Sequence, residues 1–260
     1  MFTCQALSPA YLCHAAQINV HCPLRMKTIT YFSVKGGTGK TTFNLLLASW
    51  LKYQCGKRVA VLDLDGPEYS LFNTRERELG YLKEQGSMLP KSWLYPVYRF
   101  PEQGLLDAAK EKMEELRADT DYLIIDFGGS FKITDPICRF VRERLLDLVV
   151  IPVELDGMII ASAKSLSSIL KQMGQDSLLF FNMVHAREKA ALFDDLVDYF
   201  DKHGLKVSQN RIKTTIKLQR DCDRGTNFLR STVGFPQKDM EKVNPAMIEL
   251  FKEVSGYGGE

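Results

Sequence analysis

The chain has 260 residues, 45% of them hydrophobic and 25% charged, with a formal net charge of +2. This balance excludes disorder as the governing theme, and the length suits one large α/β domain with a sizeable core. A charge so near zero supplies no overall attraction to nucleic acid or to anionic membrane.

Six cysteines (Cys4, Cys13, Cys22, Cys55, Cys138 and Cys222) form no CxxC pair. Compact zinc and thiol-redox signatures are therefore absent, and the thiols point to a reducing, cytoplasmic setting. The four histidines, His14, His21, His185 and His203, have no metal-ligand spacing. No run reaches the ~18 apolar residues that span a bilayer.

In chain order, residues 1–25 carry no basic residue before Arg25 and no continuous apolar stretch, unlike a secretory leader. They read as an N-terminal extension, poorly ordered as termini commonly are. Residues 26–260 read as one domain. Strand-like runs at 28–34, 58–64, 94–99, 121–126, 146–153 and 177–184 alternate with helical patterns at 40–53, 103–117, 135–145, 157–173 and 188–203. Runs such as Leu148-Val149-Val150-Ile151 suit strands buried on both faces of a parallel sheet. The rhythm predicts a doubly wound, mainly parallel α/β sheet with helices on both faces. Residues 66–93 break it with mixed charges and Gly80, Gly86 and Pro90, and read as a surface insertion carrying a short helix.

The first strand runs into Lys35-Gly36-Gly37-Thr38-Gly39-Lys40-Thr41-Thr42. Glycines let backbone N–H groups wrap phosphate oxygens, and a helix starting near Lys40 turns its positive end towards the anion. In such a loop Lys40 reaches the β and γ phosphates and the Thr41 hydroxyl ligates Mg²⁺. The generic GxxxxGK[ST] pattern requires glycine at position 34, where this chain has Val34, and Lys35 adds a second lysine. The second strand ends in Asp63-Leu64-Asp65, whose i, i+2 carboxylates project to one side beside that loop. A third apolar strand ends in Asp126, the Walker B pattern for a carboxylate that holds Mg²⁺ through its water shell.

KGGTGKTT resembles the deviant Walker A motif of the ParA/MinD family of dimerising ATPases. The resemblance runs over about residues 26–255, strongest across 28–66, and is nearest to the small ParA-type partition ATPases. It implies a P-loop ATPase domain over 26–260, with ATP and Mg²⁺ as ligands. Lys35 would act in trans, reaching the partner's ATP across a nucleotide-sandwich homodimer. Asp63 would lie near the Mg²⁺ shell, Asp65 would orient the attacking water, and Asn182 would face the adenine. Two departures affect the switches: Gly66-Pro67-Glu68 after Asp65, and Phe127-Gly128-Gly129-Ser130 after Asp126.

Between Lys202 and Arg230, eight basic residues oppose only Asp221 and Asp223, a local +6 within a chain of +2. By resemblance, Arg211, Lys213, Lys217, Arg220 and Arg224 are candidates for sequence-independent DNA contact in the ATP-bound dimer. The resulting expectation is a slow, Mg²⁺-ATP-dependent dimerising ATPase of plasmid or mobile-element partition, stimulated by a partner protein and without stable membrane association. Two alternatives are a nucleotide-gated adaptor of conjugative transfer with little hydrolysis, and a MinD-like positioning ATPase. The second normally needs a basic amphipathic C-terminal helix, which 245–255 does not supply.

Overall fold

The computed structural model describes residues 25–84, 86, 90, 93–101, 103–132, 134–214 and 244–256. The extension expected at 1–25 lies outside these except for Arg25. Seven strands form one sheet: β1 (Lys27–Tyr31), β2 (Val59–Leu64), β3 (Val97–Arg99), β4 (Tyr122–Phe127), β5 (Leu148–Val153), β6 (Ser177–Val184) and β7 (Val207–Lys213). Their order is β3-β2-β4-β1-β5-β6-β7, with every pairing parallel. The helices are α1 (Lys40–Tyr53), α2 (Ser70–Glu84), α3 (Leu105–Leu116), α4 (Pro136–Arg142), α5 (Gly157–Gln172), α6 (Ala190–Asp201) and α7 (Pro245–Ser255).

The strand order explains which helix covers which face. Crossovers between parallel strands are right-handed, so reversing the direction of travel along the sheet moves the helix to the other face. The chain moves one way through α1 and α2, then back through α3, α4, α5 and α6. Two cores result. Phe43, Leu47, Trp50 and Leu71 pack with Phe251 on one face; Ala109, Phe140, Leu166 and Phe193 pack on the other. Side chains alternate along each strand to match: Ala60, Leu62 and Leu64 face the second core, Val59 and Val61 the first.

Three elements differ from the sequence expectation. Residues 70–84 are not a short helix in a surface insertion but a 15-residue crossover helix, α2. Its inward positions Leu71, Arg75 and Glu78 include two charges, which hid the buried stripe. Arg75 donates to the Tyr95 carbonyl and lies over the Tyr95 ring, 4.5 Å from its centroid. The second difference is β7, an edge strand within the basic stretch. Its register against β6 is interrupted twice, so no regular alternation marked it. The third is α7, whose Met247, Ile248, Leu250, Phe251 and Val254 are buried in the first core. That apolar face is committed to the fold. Among the described residues no helix is long and apolar enough to cross a membrane.

Tyr31 stacks on Phe43 and meets Phe180 edge-on, yet its fully buried hydroxyl has no hydrogen-bond partner among the described residues. Desolvating an unpaired hydroxyl is costly, so Tyr31→Phe is expected to stabilise the fold by about 1 kcal/mol in urea unfolding. A destabilised variant would show that the hydroxyl is satisfied in solution.

Candidate functional site

The loops that follow β1, β2 and β4 converge because these strands are neighbours at one carboxyl edge of the sheet. Between β1 and α1 the chain folds as the expected phosphate loop. Gly37 and Gly39 have φ of 82° and 93°, a left-handed conformation that glycine adopts without a Cβ penalty. Gly39 is the N-cap of α1, no side chain caps its first turn, and no acidic residue lies there. The N–H groups of that turn are therefore left for an anion. Gly36 and Gly37 are exposed, while Lys35, Lys40, Thr41 and Thr42 are half-buried.

The loop is braced from beneath. The Ser33 hydroxyl donates to the Lys35 carbonyl at 2.8 Å and meets the buried Thr38 hydroxyl at 2.5 Å. Asn182, at the end of β6, donates its amide to the Thr38 carbonyl at 2.9 Å and is only 5% exposed. Asn182, expected at the adenine, thus lies against the phosphate loop. Its neighbour Met183 has φ of 54°, an unusual conformation for a non-glycine residue, where β6 departs from regular pairing.

Asp63 and Asp126 stand opposite each other in the β2–β4 register, so both side chains project to the α1 face. Both are fully buried. Asp63 is well supplied: Oδ2 accepts from Phe72 N–H at 2.9 Å and Oδ1 from Asp65 N–H at 3.3 Å. It therefore ties the first turn of α2 to β2, and burial still raises its pKa. Asp126 is less well supplied. Oδ1 accepts from the Asn44 amide at 2.7 Å, and Oδ2 has no well-formed hydrogen bond. Burial first, then the Asp63 carboxylate, pushes the Asp126 pKa up to about 7, against the pull of Asn44 and Thr41. Asp65 is half-buried, its pKa raised by burial and Glu68 and lowered by Lys40.

Two glycines give these groups room. A Cβ on Gly128 would lie 3.0 Å from Asp65 Oδ1, and one on Gly129 would lie 3.0 Å from Lys40 Nζ. The altered sequence after Asp126 thus has a local reason: both glycines admit a charged side chain of the site. Gly66 likewise lies beneath Tyr69, whose hydroxyl would be 2.7 Å from an added Cβ.

Lys40, Thr41, Asp63, Asp65 and Asp126 are thereby brought together at the mouth of the phosphate loop. A buried carboxylate oxygen with no partner, raised towards neutral pH and flanked by two more carboxylates, fits a divalent cation. Among the described residues no three carboxylate, histidine or cysteine groups form a metal cage by themselves. Sequence reasoning missed Asn44. The available signal was a polar residue within the apolar stretch Phe43-Asn44-Leu45-Leu46-Leu47.

The basic candidates are not brought to this site. Arg211 donates to Asp194 of α6 at 2.6 Å and lies over the Phe193 ring. Lys213 ends β7, whereas Lys217, Arg220 and Arg224 lie outside the described residues. Lys206 pairs with Asp176 at 3.7 Å.

Comparison with known proteins agrees with this geometry. A family model described as the CobQ/CobB/MinD/ParA nucleotide binding domain matches residues 29–228. The protein virC1 of Rhizobium rhizogenes is 32% identical over 134 residues, 50% of this chain and 52% of that protein. The chain spans about half or less of the length of the curated relatives it matches. Among solved structures, the MinC:MinD cell division protein complex of Aquifex aeolicus gives a TM-score of 0.60 at 18% identity, covering 89% of this chain and 97% of that one. A putative plasmid partition protein of Borrelia burgdorferi bound to AMPPNP gives 0.58 at 20% identity, covering 88% and 99%. At these identities the structural likeness carries the fold.

The raised Asp126 pKa has a definite sign in the protein free of nucleotide and metal. Between the unfolded value near 4 and the folded value of about 7 the native state holds the extra proton. Stability contributed by this group is therefore full below pH ~4, falls as pH rises to about 7, and is flat above. Asp126→Asn should remove that fall, leaving a variant more stable than the parent at pH 8 in denaturant titrations. Parallel pH profiles for the two proteins would contradict the assignment.

Proposed function

The chain belongs to the CobQ/CobB/MinD/ParA family of nucleotide-binding domains, and from that premise we propose that it is a Mg²⁺-ATP-dependent ATPase. It dimerises on ATP and acts in DNA partition or positioning in the cytoplasm. The observation that carries this reading is the convergence of Lys40, Thr41, Asp65 and Asp126 on one phosphate loop.

In this reading the α1 N-terminus and Lys40 hold the β and γ phosphates, and Asn182 braces the loop beneath them. Thr41 and Asp126 hold the Mg²⁺ shell, with Asp63 fixing the strand end beside it. When bound, Mg²⁺ supplies positive charge across the phosphate oxygens. Asp65 orients a water for attack on the γ-phosphorus, and ADP leaves as the β–γ bridging bond breaks. Lys35 of a second copy completes the site in trans. Support for that second copy comes from apolar surface at the loop's mouth: Val34 is 40% exposed and Met158, in the first turn of α5, is 67% exposed. Val34 and Lys35 also border a shallow cleft with Ile159 and Ser162 of α5.

For DNA contact, Arg211 is engaged by Asp194, so the reading rests on Lys217, Arg220 and Arg224, with Lys213 at the strand end. A partner protein that stimulates hydrolysis completes the proposed cycle, as in the ParA/MinD resemblance.

Lys40→Ala should abolish ATP binding, and Asp65→Ala should trap an ATP-bound dimer, read by light scattering after size exclusion. In gel shifts the parent should retain DNA with ATP, release it with ADP, and lose it steeply as salt rises. Replacing Lys217, Arg220 and Arg224 together by alanine should abolish the shift without affecting dimer formation. Unchanged ATP affinity in Lys40→Ala would sink the site; DNA binding indifferent to nucleotide would sink the gating.

A further inference from the structure

Asn44 lies one turn after Thr41 on α1, so the two side chains share the helix face turned towards β1 and β4. It is fully buried, and both its N–H donors and one of its two acceptor positions are used. Oδ1 accepts from the Tyr31 backbone N–H at 2.8 Å. Nδ2 donates to the Tyr31 carbonyl at 3.3 Å and to Asp126 Oδ1 at 2.7 Å. The orientation of the amide is dictated by chemistry, since the Tyr31 N–H only donates and the amide nitrogen must then face the carboxylate.

This bond divides the labour between the two oxygens of Asp126. Oδ1 is held by a neutral donor that is itself pinned to β1, while among the described residues Oδ2 has no well-formed hydrogen bond and the Thr41 side chain lies close enough to pull on the carboxylate. Asp63, the carboxylate beside it, has both oxygens engaged by backbone N–H groups. Asp126 Oδ2 is therefore the oxygen of the pair left available, and its direction is fixed by what Asn44 does to Oδ1. A single turn of α1 would thus supply both the metal-binding hydroxyl, from Thr41, and the amide that aims the opposing carboxylate.

We infer that Asn44 is a positioning residue for Mg²⁺, holding Asp126 so that one carboxylate oxygen is presented to the metal's water shell. The inference rests on the Mg²⁺-nucleotide reading above. Partners that orient metal ligands are worth ten- to a hundredfold in metal affinity. The same range applies here, without a matching loss in the contacts to the phosphates.

The test uses the full chain and AMPPNP, titrated by calorimetry in EDTA and across a series of MgCl₂ concentrations. In Asn44→Ala the affinity in EDTA should stay within about twofold of the parent. The MgCl₂ concentration giving half the Mg²⁺-dependent gain should rise about tenfold. Asn44→Leu guards against a cavity artefact, because it keeps the side-chain size and adds no buried charge while removing the donor to Asp126, and thermal melting reports whether it is folded. It should show the same shift. The exchanged pair Asn44→Asp with Asp126→Asn should recover thermal stability, since a donor again faces an acceptor, but not the Mg²⁺ response. A folded Asn44 variant with an unchanged MgCl₂ midpoint overturns the inference. So does a parallel fall of the EDTA and Mg²⁺ affinities, which marks a structural role alone. Failure of the unsubstituted chain to bind AMPPNP overturns the proposed function, and the inference with it.

Discussion

Burying Asp63 and Asp126 side by side on adjacent strands is the constraint around which the site is arranged. Two carboxylates cannot both remain charged in a low-dielectric interior unless each is compensated. The compensation is unequal: backbone N–H groups engage both oxygens of Asp63, whereas Asp126 has the Asn44 amide, the pull of Thr41 and an oxygen with no well-formed hydrogen bond among the described residues. The remaining demand for positive charge is met in kind by what surrounds it. The uncapped N-terminus of α1 supplies a partial positive charge, and Lys40 lies close enough to Asp65 to lower its pKa. Strand order, glycine placement after Asp126 and the position of Asn44 all follow from fitting these groups into one sheet edge.

Much of this was legible in the sequence because it depends on local chemistry. The phosphate loop, the i, i+2 aspartates and the strand ending in Asp126 each sit where the motif places them. So do six of the seven strands, within a few residues. What escaped were features decided across the sheet. Arg75 and Glu78 gave α2 a polar appearance although both are buried, Arg75 against Tyr95, twenty residues further on. β7 lacked a clean alternation because its pairing with β6 is irregular. Asn44 was passed over because its three partners lie on β1 and β4, which sequence spacing cannot bring together.

Charge shows the same division between chain and space. Counted along the sequence, 202–230 is a basic block of +6. The preceding helix α6 contributes Asp194, Asp195, Asp198 and Asp201, so that 190–213 carries four acidic and four basic residues. Asp194 already holds Arg211. The near half of the block is therefore balanced by the helix before it, and of the block's +6 only +2 falls on residues 214–230. The acidic helix and the basic strand thus cancel, and the total of +2 conceals both.

The bracing beneath the phosphate loop bears on timing. Ser33, Thr38 and Asn182 lock the loop into shape from below, where an incoming phosphate does not displace them. A cradle assembled in advance leaves little backbone entropy to be lost on capture. Association is then governed by diffusion and by the pull of Lys40 and the helix end on a polyanion. Discrimination between nucleotide states falls to departure rates, set by the contacts of the terminal phosphate. The hydroxyl pair beneath the glycines thus bears on affinity without touching the anion, by sparing the loop the cost of being ordered when a phosphate enters.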